Sequence, residues 1–116
     1  MAIAARMGSE IEDQLVSFRP DWACGVSLAV TATTGSVALS TSSKGNSVEI
    51  SNVGANIAYI RLGAVGSSAT TAGYAIPPYQ SRTITRDQTT ETYLHAICDT
   101  ALTTTLKAIT GYGRGA

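Results

Sequence analysis

The sequence has only one His, two Cys, one Trp, one Phe and three Pro in 116 residues, and only 14% of its residues carry charge. A metal site built on the single imidazole, His95, together with Cys98 would lack two of the four ligands that a closed zinc site uses, and the other thiol, Cys24, lies far away in the chain. No Gly-x-Ser-x-Gly elbow occurs, so none of the twelve serines sits in the context of an activated nucleophile. Cys98 precedes Asp99, and a neighbouring carboxylate raises a thiol's pKa and opposes the reactive thiolate. No phosphate-cradling Gly-x-x-x-x-Gly-Lys-Ser/Thr is present, and Gly111-x-Gly113-x-Gly115 has no helix after it. These absences predict a protein that is not an enzyme and takes no cofactor and no metal.

Charge of either sign is also scarce. Eight basic residues balance eight acidic ones, so no electrostatic footprint exists for nucleic acid or an anionic membrane. No run approaches 18 apolar residues, which excludes a transmembrane helix, and acids interrupt the first residues before an apolar core of signal-peptide length can form. The expectation is assembly in the cytoplasm. Two cysteines are too few for a disulfide framework. Reduced core thiols are expected, with a Cys24–Cys98 bridge as the alternative. Zero net charge also removes the self-repulsion that keeps small domains apart.

What is abundant is Thr, Ser, Ala and Gly. Sixteen Thr disfavour helix because a β-branched χ1 is restricted there. Residues 1–25 have a different texture from the rest, with Arg6, Glu10, Glu12, Asp13, Arg19 and Asp21 beside both Met and the lone Phe and Trp. In Ser9–Val16 a capping Ser, first-turn acids, and Ile11, Leu15 and Val16 at helical spacing predict a turn or two of helix, which Pro20 ends. This N-terminal arm offers Phe18 and Trp22, then Ile11 and Leu15, as anchors for a partner. Packing of Trp22 on its own domain is the competing reading.

From residue 26 to 110 short β-branched runs alternate with turn residues. Strands are expected at Val26–Ala32, Ser36–Thr41, Ser47–Ser51, Ile57–Leu62, Gln80–Arg86, Glu91–Cys98 and Leu102–Ile109. Val37 and Leu39, Val48 and Ile50, and Leu106 and Ala108 fall on alternate positions, so these strands should bury one face. Ile57–Leu62 is apolar on both faces apart from Arg61 and reads as a central strand. Gly63–Gly73 reads as a surface loop, Pro77-Pro78 as an extended crossing, and 111–116 as a tail. The predicted fold is an all-β antiparallel sandwich, jelly-roll-like, of about seven to eight strands with an N-terminal arm.

Asn52-Val-Gly-Ala-Asn-Ile-Ala-Tyr-Ile-Arg-Leu-Gly63, the Ser/Thr/Ala/Gly loop, Tyr74-Ala-Ile-Pro-Pro78, Glu91-Thr-Tyr-Leu-His-Ala-Ile-Cys98 and Thr103-Thr-Thr-Leu106 together resemble small all-β accessory proteins of tailed-bacteriophage virions. The resemblance spans about residues 26–110, in pattern more than identity. It implies a capsid decoration or cement protein located in the virion. Its partners would be the major capsid protein or other virion proteins, and it would act as a homo-oligomer, with a trimer favoured. A tail, head–tail junction or fibre-attachment component, and a carbohydrate-binding host-attachment module, are the alternatives. The latter requires exposed Tyr and Asn residues grouped on one loop end.

Overall fold

Alternation of apolar and hydroxyl side chains along Val26–Val30 turns Val26, Leu28 and Val30 inward and leaves Ser27 and Ala29 exposed, as a strand with one wet face requires. The same logic repeats through the computed structural model, which describes residues 18–40 and 46–113. Among the described residues there is no helix, and eight strands form: β1 (Arg19–Val30), β2 (Gly35–Ala38), β3 (Ser47–Asn52), β4 (Ala58–Gly63), β5 (Tyr74–Ile76), β6 (Ser81–Thr85), β7 (Tyr93–Ile97) and β8 (Thr104–Tyr112). They make two four-stranded antiparallel sheets, ordered β1-β8-β3-β6 and β2-β7-β4-β5. Successive strands change sheet except β4 and β5, which pair as a hairpin. This is the double-sheet, two-Greek-key order of a jelly roll.

The inner faces meet in one core. Val48 and Ile50 from β3, Leu106 and Ala108 from β8, Ile60 from β4, Ile76 from β5, and Leu94 and Ala96 from β7 are all buried, with Val26, Leu28, Val37, Leu62 and Ile84 packed at its margin. Each fully buried Ile or Leu contributes about 1.5–3 kcal/mol relative to exposure. β4 lies between β5 and β7, so its central position follows its apolar sequence.

Strand pairing passes the expected limits of residues 26 and 110 at both ends. β1 begins at Arg19, and β8 runs to Tyr112. The reason lies in an irregularity. Pro20 pairs with Gly111 and Gly25 with Ile109, so Asp21–Cys24 bulge out opposite the single residue Thr110. Pro is tolerated because β1 is an edge strand. Gly111 lets the two backbones approach, since a Cβ there would fall 2.1 Å from the Arg19 carbonyl oxygen. The bulge breaks the two-residue period, and with it the sequence signal for strand. The predicted Ser9–Val16 helix, including Ile11 and Leu15, lies outside the described residues.

Connections after β1, β3, β5 and β7 gather at one end of the sandwich, as the antiparallel pairings require. Hydrogen bonds tie them: Cys98 N–H donates to Thr31 O at 2.8 Å, Val53 N–H to Thr105 O at 3.0 Å, and Asn52 N–H to Gln80 O at 2.8 Å. The 64–73 segment is the expected surface loop, exposed at every residue but Ser67 and Ala69. It folds back over the outer face of the second sheet, where Ala64 O meets His95 Nε2 at 2.9 Å and Ala69 N–H donates to Thr34 Oγ1 at 3.0 Å. Ala69 is buried as a result.

Candidate interaction surfaces

His95 and Cys98, the residues read for chemistry, are both buried. His95 points to the outer face of its sheet, is only 1% exposed beneath the 64–73 segment, and stacks on Tyr93 with ring centroids 6.1 Å apart. Cys98 is buried beside Val30, with its Sγ 4.0 Å from that carbonyl oxygen. Burial first, and then the Asp99 carboxylate, push its thiol above the ordinary 9.0. Cys24 is half-buried in the bulge, and both thiols are free. The regular strand from Val26 to Val30 separates them by about 13 Å, beyond a disulfide's span of about 7 Å between Cα atoms. Arg86 is buried at the other end of the sandwich. Its guanidinium donates to Glu91 O at 2.9 Å and to Ser40 O, which ties the β6–β7 connection to the chain after β2.

Of the predicted anchors, Phe18 is half-buried and Trp22 stands out. The bulge carries Trp22 clear of its own domain at 76% exposure, so the packed reading of this side chain does not hold. It borders a cleft of about 140 Å³ formed with Arg19, Pro20, Asp21 and Tyr112. Exposed aromatics of this kind concentrate interface energy, because they offer large rigid area at low entropic cost. Ile11 and Leu15 are not among the described residues, so whether they join this surface lies outside the structure.

A second apolar surface lies at the opposite end. Val53, Ile57, Tyr79 and Leu102, all exposed, belong to three of the four connections gathered there. Tyr79 (φ 59°) and Ala101 (φ 65°) are the two non-Gly residues with positive φ among the described residues, and both sit at this end. Each occupies the third position of a four-residue turn, closed by Gln80 N–H to Pro77 O at 3.3 Å and by Leu102 N–H to Asp99 O at 3.0 Å. Type II turns reserve that position for Gly or Asn. Asn56 lies here too, its side-chain amide donating to Thr103 O at 2.8 Å.

A third feature is a shallow groove of about 330 Å³ on the outer face of the first sheet, lined by Ser27, Glu49, Ser51, Lys107, Ile109 and the open backbone at Gly25. Period-2 patterning identifies these residues as outward-facing. Their meeting depends on β8 lying between β1 and β3, an order that no local signal encodes.

No protein-family profile and no curated protein matches this sequence. Among solved structures the chain is similar to one in a crystal structure of PirA, at 14% identity and a TM-score of 0.42, covering 76% of this chain and 93% of that one. It is also similar to a protein of Bacillus endospore appendages, a family of disulfide-linked pili, at 13% identity and a TM-score of 0.42, covering 84% of this chain and 90% of that one.

Proposed function

We propose that the protein is a non-enzymatic structural component of a bacteriophage virion, a capsid decoration or cement protein that joins the major capsid protein or another virion protein as a homo-oligomer. The reading draws on the sequence resemblance and on the physics of the surface. A jelly roll serves capsid and lectin domains alike, so the fold by itself assigns no role. The observation that carries the proposal is Trp22, held 76% exposed on a β1 bulge where the leading segment joins the body. A neutral protein that offers a small aromatic contact per copy binds weakly alone and is retained by repetition on a symmetric shell.

The test is particle loading. Purified protein is incubated with phage shells lacking it and co-sedimented, with Trp22→Ala alongside. Stoichiometric loading, with the variant weaker by about tenfold or more, is expected. Failure to load, or equal loading of the variant, overturns the reading. Copy number tracking the shell subunits identifies decoration, whereas a small number matching one symmetric ring identifies a tail or head–tail junction part. The host-attachment alternative is favoured by one observation, the exposed Tyr79 on the same loop end as Asn56. Binding of the purified protein to a glycan array would support it.

A further inference from the structure

The two sheets differ on their outer faces. The 64–73 segment lies across the second, whereas no described segment crosses the groove on the first. Two cross-strand rows line that groove, Ser27–Lys107–Ser51 and Gly25–Ile109–Glu49. Lys107 of β8 and Glu49 of β3 are therefore diagonal neighbours, with half-buried Ile109 beside both on the floor. A Cβ added at Gly25 would meet nothing within 4 Å, so the missing side chain leaves open space.

We infer that this groove receives the leading segment, residues 1–17, of a second copy of the chain. The first argument is complementarity. Residues 1–17 carry Glu10, Glu12 and Asp13 to face Lys107, Arg6 to face Glu49, and Ile11, Leu15 and Val16 to cover Ile109. The second argument is reach and direction. Seventeen residues extend to about 56–60 Å, while the nine residues of β8 span about 30 Å. β1 runs from Arg19 toward Val30 and lines the groove only with Gly25, Val26 and Ser27, so a segment joined at Arg19 must reverse to reach the groove of its own copy. A neighbour's segment enters without that reversal, and zero net charge leaves nothing to oppose the approach. This exchange stands apart from the virion reading, because copies would associate this way whatever larger body they joined.

The test uses the full chain and its Gly25→Val variant. Valine suits a strand and finds free space at this position, so the fold is kept while the groove is filled. Sedimentation velocity reads association across a wide concentration range, and limited trypsin digestion reads exposure of the Arg6 bond. The wild type is expected to associate with Arg6 protected. Gly25→Val, with an unchanged or raised unfolding midpoint, is expected to sediment as a monomer and be cut at Arg6 at least about tenfold faster. Lys107→Glu is an independent second variant with the same expected loss, and it serves alone should Gly25→Val fail to fold. Three results overturn the inference: a monomeric wild type, variants that associate normally, or Arg6 protection that persists on dilution to the monomer and so reports a chain covering its own groove.

Discussion

Thr104 donates its hydroxyl to Asn52 Oδ1 at 2.7 Å, across the end of the sandwich where β3 leaves the sheet and β8 enters it. Asn52 is 1% exposed, and all four of its hydrogen-bonding positions are filled. Its Oδ1 also accepts from Gly54 N–H at 3.1 Å, and its amide donates to Asn56 O at 2.7 Å and Ile76 O at 2.9 Å. One side chain thus joins β3, β8, the β3–β4 turn and the end of β5. Replacing it by alanine strands several buried partners, so Asn52→Ala should lose about 3 kcal/mol or more in denaturant unfolding. Gly54→Ala should also destabilise, because its Cβ would fall 2.0 Å from Thr104 Oγ1.

Thr110 provides the opposite case. Its hydroxyl is buried opposite the β1 bulge and has no hydrogen-bond partner. Thr110→Val replaces that oxygen by a methyl group in the same volume and should raise stability by about 1 kcal/mol. A lowered midpoint on thermal unfolding would show that the oxygen is satisfied after all.

Much of the fold is legible from the residues, and the gaps have identifiable causes. The expected strands Ser47–Ser51 and Ile57–Leu62 leave a connection between them, and the structure makes Asn52 the hub of that loop end. β5 is missed because three residues are too few to display a period. The start of β1 reads as an arm because Pro20 and the bulge erase alternation. The fold of 64–73 over His95 leaves no sequence signal because backbone groups of Ala64 and Ala69 make the contacts. Trp22 stands out by residue type alone and the structure leaves it exposed, while the Glu49–Lys107 groove depends on the strand order.

Tyr79 and Ala101 both hold a left-handed backbone that costs a non-glycine residue about 1 kcal/mol or more. Tyr79 is 74% exposed, so its removal sacrifices little packing. Tyr79→Gly and Ala101→Gly should each leave stability unchanged or raise it, by up to about 1 kcal/mol. Equilibrium unfolding in urea measures this, and a loss in both variants would refute it.

The two thiols should separate by reactivity. At neutral pH, in native protein, a thiol reagent should modify half-buried Cys24 well before buried Cys98, and unfolding should equalise them. Because folding raises the pKa of Cys98 above 9.0, its contribution is fully present below that value and is lost as pH rises through the folded pKa. Stability should therefore fall on the alkaline side, and less steeply in Cys98→Ala. Parallel pH profiles of the two proteins would refute this.

The 64–73 segment makes the molecule two-sided. Among the described residues one broad wall is upholstered by the chain's own backbone and the other is not, so the two walls offer a neighbour different chemistry. A neighbour that fits one wall is thus not matched by the other, and a contact between copies through a wall has a defined side.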